Sequence, residues 1–300
     1  MTPGRFLGTG RTARGVAPVL AGALFMGLNA AVGAFDAVIV RLVAGELHTF
    51  EIVFFRNFFS FVFLLFLLRH VGPSLTRSPN WPVHVMRAAL KLASLIAYFY
   101  AVTLLPLAIA ITLAFTTPLF VSLGSILFLG ERPRTMRIAA LCAGFAGVYV
   151  VLRPDAVPIG AGAAMALVAA IGLAGVALLM KLSSSRESAL TIVWFNLVVT
   201  VPLAFVVALP VWTTPSLYAL GLLALQGAAG LAAQFAFARA MSLADASLLI
   251  MVDFIRLPLA IGLGLVLFGE AVEMRVLIGG GIILGALVLL LRHERATELP

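Results

Sequence analysis

Ile52-Val53-Phe54-Phe55 is answered by Ile192-Val193-Trp194-Phe195, 140 residues further along a chain of 300. The echo extends both ways. Ala21-Gly22-Ala23 recurs as Ala161-Gly162-Ala163, and Arg41-Leu42 recurs as Lys181-Leu182. Later pairs shift by one residue: Ala101-Val102-Thr103-Leu104 matches Ala240-Met241-Ser242-Leu243, and Gly130-Glu131 matches Gly269-Glu270. The chain is one unit written twice. A unit that crosses a membrane an odd number of times must be inverted in its second copy, and inverted repeats are the architecture of secondary transporters.

Composition supplies the solvent. The chain is 63% hydrophobic and 11% charged, with a mean hydropathy of +1.16. A soluble domain carries about 25% charge, so this much apolar surface needs lipid around it. The net charge of +8 does not mark a nucleic-acid partner, because the basic residues sit in short loops between apolar runs, where they set topology. Cys142, the single cysteine, lies inside an apolar run, without a disulfide partner or metal-ligand company. His48, His70, His84 and His293 fall at or near segment ends, which speaks against a histidine-based metal site or intramembrane hydrolase. No Walker loop or dinucleotide motif is present, so an ATP-driven pump is disfavoured and no cofactor is expected.

Ten apolar segments can be drawn, near 16–41, 48–69, 84–104, 106–129, 136–153, 158–181, 188–209, 215–239, 243–269 and 273–292. Most reach the roughly 20 residues needed to cross the hydrocarbon. The first follows Arg5, Arg11 and Arg14 as a signal peptide would, but Val16 to Val40 is too long for a signal h-region and reads as a retained first helix. The expected fold is an all-α polytopic membrane protein of ten transmembrane helices, arranged as inverted five-helix repeats over 16–153 and 158–292. With the N-terminus cytoplasmic, 14 lysines and arginines fall inside, 3 (Arg41, Arg153, Arg275) fall outside, and Arg56, Lys91 and Arg256 lie within segments. That bias places both termini in the cytoplasm and the loop Arg153-Pro154-Asp155 outside; the expected location is a bacterial inner membrane.

The stretch Ala23-Leu24-Phe25-Met26-Gly27-Leu28-Asn29, the arginine at position 56, and Leu104-Leu105-Pro106, Pro118-Leu119-Phe120 and Leu129-Gly130-Glu131-Arg132 together resemble the drug/metabolite transporter superfamily in its ten-helix, EamA-type form. The resemblance implies a carrier of small metabolites, often an exporter, and within the family it is strongest to the YddG-type aromatic amino-acid exporters. Four-helix multidrug relatives couple to protons through a buried glutamate in the first helix. Here that helix offers Asn29 and Asp36, so proton coupling by that route is in question.

Charge inside a segment is where chemistry is expected, since a charged side chain at mid-bilayer costs about 2.5–3.5 kcal/mol on insertion scales. Asp253 and Arg256 lie three apart on one helical face, either as a structural ion pair or as partners for the ammonium and carboxylate of a zwitterion. Arg56 needs a partner, with Asp36, Asp253 or helix-end carbonyls as candidates. Lys91 reads as snorkelling to the inner surface. Tyr98 and Gln226 are candidate cavity residues, Tyr100 belongs to an interfacial belt, and Trp194 could line an aromatic site. Pro118, after Thr112, Thr116 and Thr117, and Pro258 in the ninth segment should each kink a helix, as static bends or as paired hinges. Glycine clusters at Gly227/Gly230 and Gly279-Gly280-Gly281/Gly285 suggest close helix crossings. The expected function is alternating-access export of amino acids, aromatic or otherwise hydrophobic, or of similar metabolites, through a central cavity, with another class (purines, sugars, drugs) as the alternative. A channel lacks a visible polar stripe, and an enzyme lacks a nucleophile–base pair at depth.

Overall fold

The computed structural model of the chain describes residues 16–68, 81–130, 135–153, 160–183, 189–243, 249 and 252–297. Within them the secondary structure is helical and no strand is found. The helices are α1 (Val16–Val43), α2 (Thr49–Leu68), α3 (Trp81–Leu104), α4 (Leu107–Ala114), α5 (Thr117–Leu129), α6 (Thr135–Leu152), α7 (Ala161–Ser183), α8 (Ala189–Ala208), α9 (Leu217–Leu243), α10 (Arg256–Phe268) and α11 (Met274–Thr297). Lipid offers the backbone no hydrogen-bond partner, and only a helix satisfies its own N–H and C=O groups within one segment. Among the described residues eight spans are long and apolar enough to cross a membrane, counting α4 with α5, and two shorter apolar helices at 256–268 and 274–289 complete the ten expected segments. The Pro154-Asp155 loop and the Glu131-Arg132 part of the family resemblance lie outside the described residues.

The chain zigzags between a proximal face, where α1 starts, and a distal face, where it ends. The outside of the bundle is apolar, with Phe128 80% exposed and Leu217 89% exposed, while Glu51, Thr112 and Gln226 are fully buried. That inversion of the soluble pattern is what a lipid-facing exterior requires.

Packing follows the half-chain offset. The contact of α3 with α7 has its counterpart in α9 with α1, and α2 with α9 is matched by α8 with α3. Three contacts are their own images: α6 with α11, α2 with α8, and α4 with α10. The helix ends repeat as well, since Gly130 (φ 67°) and Gly269 (φ 65°) both close their helices in the left-handed conformation that glycine adopts without strain.

Two helices are broken at equivalent points. Phe115 and Thr116 form a turn between α4 and α5, and Phe254 and Ile255 form one just before α10. The Phe115 and Phe254 rings meet at 5.1 Å, so the breaks touch each other inside the bundle. Pro118 and Pro258 therefore stand in the first turn of a new half-helix, where the missing N–H costs no helical bond, rather than bending a continuous one. The hydroxyls of Thr116 and Thr117 donate to the carbonyls of Leu113 (2.6 Å) and Ala114 (2.9 Å), and at the second break the Leu257 N–H reaches the Phe254 carbonyl at 3.0 Å.

Some glycines mark helix crossings inside the bundle. A Cβ on Gly147 in α6 would lie 2.9 Å from the Gly279 carbonyl in α11, and one on Gly279 would lie 2.7 Å from that of Gly147. Gly227 backs onto Phe59 and Ser60 in α2, whose hydroxyl donates to the Gly227 carbonyl at 2.8 Å, whereas Gly281 and Gly285 face open space. Gly147→Ala or Gly279→Ala should cost about 1–3 kcal/mol through overpacking. Thermal unfolding in detergent should show a clear drop for these two and none for Gly281→Ala or Gly285→Ala.

Candidate substrate cavity

The α3 face carrying Lys91, Ser94, Leu95 and Tyr98 and the α9 face carrying Gly230, Ala233, Gln234 and Phe237 are equivalent under the half-chain offset, position by position. Both line one cavity of about 530 Å³. That is the size of a small-molecule site. Equivalent positions on other helices line it too, Gly33 with Leu173 and Arg56 with Asn196.

Its polar lining is organised by two ion pairs. Arg56 Nε donates to Asp36 Oδ1 at 3.0 Å, and its guanidinium lies 5.7 Å from the centre of the Phe99 ring. Arg256 donates to Asp253 Oδ1 at 2.8 Å. Continuous helical spacing leads to the same pairing, but the physical cause differs: the helix is broken between the two residues, and Arg256 opens α10. Asp253 thus closes the helical residues before the break, and the ion pair spans it. Asn29 touches both partners. Its amide donates to Asp253 Oδ1 at 3.3 Å, or, turned over, accepts from Arg256 at 3.2 Å and donates to the Ala233 carbonyl at 3.3 Å. Each arginine fills the hollow of a glycine on a neighbouring helix: a Cβ on Gly33 would lie 2.8 Å from the Arg256 guanidinium, and one on Gly230 would lie 2.9 Å from that of Arg56.

Asn29, Arg56, Tyr98 and Arg256 line the cavity together, and Asp253 is joined to it through Arg256. Gln226 and Trp194 are not in the lining. Gln226 is fully buried beneath it, donating to the Asp36 carbonyl at 3.2 Å, so it supports α1. Trp194 turns into a separate apolar cluster, against Phe61 at 5.8 Å between ring centres. Lys91 lines the cavity instead of snorkelling, because its helix places it one and two turns from Leu95 and Tyr98 on the same face. Tyr100 is half-exposed on the bundle's surface, as a belt residue would be. Gln234, Phe237 and Asn196 line the cavity as well, paired by the half-chain offset with Leu95, Tyr98 and Arg56.

The distal end is sealed. Arg41 pairs with Glu270 and donates to the Leu105 carbonyl at 2.7 Å, and Glu270 accepts from the Leu107 N–H at 2.9 Å. Buried Glu51 accepts from the N–H and hydroxyl of Thr213 at 2.6 and 3.0 Å. Phe54, Phe55, Phe205 and Trp212 pack above this seam. Toward the proximal end the cavity reaches Ile192 and Val193, in the first turn of α8. Their equivalents near the distal end, Ile52 and Val53, are 0% exposed in the main core.

Comparison with known proteins places this geometry. Residues 20–153 match the EamA-like transporter family. A riboflavin transporter of Rhizobium johnstonii is 31% identical over 246 residues, covering 82% of this chain and 82% of the relative. A pseudopaline exporter of Pseudomonas aeruginosa is 30% identical over 263 residues, covering 86% and 91%. An S-adenosylmethionine uptake transporter of Rickettsia conorii is 28% identical over 258 residues, covering 86% and 88%. One solved crystal structure shares the fold with a TM-score of 0.64 at 22% identity, covering 91% of this chain and 98% of its own. The chain is an integral membrane protein and belongs to the EamA-like transporter family, within the drug/metabolite transporter superfamily. These relatives carry the names of other metabolites, so they support the family and not specifically a likeness to aromatic amino-acid exporters.

The Asp36–Arg56 pair is testable in isolation. Removing one partner strands the other in a half-buried site, at a cost of about 1.5–3 kcal/mol for a lost charged hydrogen bond. Asp36→Asn and Arg56→Gln should each lower the unfolding temperature more than the double variant does. Additive losses would show that the two side chains are energetically independent.

Proposed function

We propose that the chain carries a zwitterionic metabolite, an amino acid or a molecule of similar chemistry, across the membrane by alternating access through this cavity. The units 16–153 and 158–292 act as inverted repeats that exchange conformations. One observation supports the exchange above others: Ile192 is partly exposed to the cavity near one end of the bundle while its equivalent Ile52 is fully sealed at the other. Swapping the two environments would close the proximal entrance and open the distal one. The breaks before α5 and α10, which carry Pro118 and Pro258, are the hinges of that exchange. Arg256 takes the substrate carboxylate and Asp253 its ammonium, each substituting for the other in the resting ion pair. Purine- and flavin-bearing metabolites form a second reading, favoured by the relatives named for S-adenosylmethionine and riboflavin and by the 530 Å³ of space. Direction follows the gradient, since relatives of one fold are named for uptake and for export.

The reconstituted protein should take up labelled amino acids or nucleoside-type metabolites into liposomes, faster with a substrate gradient of either sign. A proton gradient added to the same assay decides coupling. Arg256→Gln should weaken an amino acid at least tenfold and its amide less; equal losses would remove the carboxylate role. Pro118→Ala and Pro258→Ala should fold and bind but turn over several-fold more slowly, and unaltered turnover would make the breaks static. Both termini are assigned to the cytoplasm on the basic-residue bias. A cysteine at residue 2, with Cys142 replaced, should resist a membrane-impermeant thiol reagent in intact cells, and labelling there would reverse the topology.

A further inference from the structure

Three cationic side chains line the cavity and two carboxylates answer them: Arg56 has Asp36, Arg256 has Asp253, and Lys91 has none. Among the described residues Lys91 makes no ion pair or hydrogen bond, and the charges that act on it are those of Arg56 and Arg87, both of its own sign. An amine this deep in an apolar bundle, with like charges beside it, is a costly arrangement unless an anion visits it. The excess charge is a property of one wall only. At the equivalent position of the second unit stands Gly230, and its missing side chain is the space that the Arg56 guanidinium occupies.

We infer that Lys91 is the binding group for an acidic substituent of the substrate, a carboxylate or phosphate additional to the zwitterionic end. Lys91 and Tyr98 share a face of α3 seven residues apart, about 10 Å along the axis. Tyr98 has Asp36, Asp253 and Arg256 as its charged neighbours, so the two ends of the site are distinct. A substrate spanning them carries its second acid about two helical turns from its ammonium-and-carboxylate end. One negative charge over neutrality in the substrate cancels the single positive charge over neutrality in the cavity. This specificity rests on the transporter reading above, but the charge of the site can be measured without it.

The experiment uses the full chain with Cys142→Ser and Gln234→Cys, which puts one thiol on the opposite, equivalent wall. Its rates of modification by methanethiosulfonates bearing a sulfonate or a trimethylammonium group are compared in detergent. The sulfonate should react faster relative to the cation, and Lys91→Gln should lower that ratio at least about tenfold, the scale of one unit charge at this range. Lys91→Arg should preserve it, and Lys91→Met carries the same comparison if the glutamine variant does not fold. An unchanged ratio overturns the assignment. In liposomes, an amino acid with a second carboxylate about two helical turns from its ammonium end, such as γ-glutamyl-γ-aminobutyrate, should then be preferred to its C-terminal amide, with the preference lost in Lys91→Gln. A Lys91-dependent field with no uptake of any compound would sink the transporter reading and leave the anion site standing. Uptake indifferent to the second acid and to Lys91 would do the reverse.

Discussion

A charge halfway across a bilayer must be met by another charge, by water, or by a visitor. That constraint orders this molecule. Asp36–Arg56 joins α1 to α2, Asp253–Arg256 spans the break before α10, and each guanidinium rests in a hollow left by a glycine. Helices α1, α2, α9 and α10 meet around them because lipid-facing placement of any of the four side chains would be expensive. The cavity is what remains between these pairs. Its polarity is a consequence of holding charge away from lipid, and its usefulness to a ligand follows from the same fact.

The two helix breaks belong to the same economy of polar groups. A backbone carbonyl released from its helical partner inside the membrane needs a substitute, and threonine hydroxyls supply it at the first break while a tightened turn supplies it at the second. Because Phe115 and Phe254 touch, movement at one break bears directly on the other. The distal seam of Arg41, Glu270 and Glu51 contrasts with this, since its carboxylates hold backbone N–H groups of loops and helix starts from opposite halves of the chain.

Most of the architecture was legible in the sequence because lipid makes strict demands. Segment number, the half-chain offset and the mid-membrane ionisable residues all follow from hydropathy and repetition. The site was legible by half. Arg56, Tyr98, Asn29 and Arg256 were recognisable as polar groups too deep to be idle. Gln226 looked the same by that rule, yet it serves the backbone of α1 from below the cavity, and depth alone does not say which way a side chain points. Trp194 was misplaced because its rotation about α8 is set by Phe61 and Leu64, which hydropathy does not encode. Lys91 was assigned to the interface because a long stem can snorkel, a reading that neglects the company of Leu95 and Tyr98 on the same face. The half-chain offset sets Lys91 opposite Gly230, on the wall that also carries Gln234 and Phe237.

The hollow at Gly230 has a consequence for how the two halves relate as copies. They repeat each other in shape but no longer in content. If two first units were assembled about the same axis, a lysine would stand where Gly230 now admits the Arg56 guanidinium, and a Cβ there lies 2.9 Å from that group. Two cations would contend for one space on each side of the axis. At this position the halves are complementary and not interchangeable: the second unit leaves the space that the charge of the first unit fills.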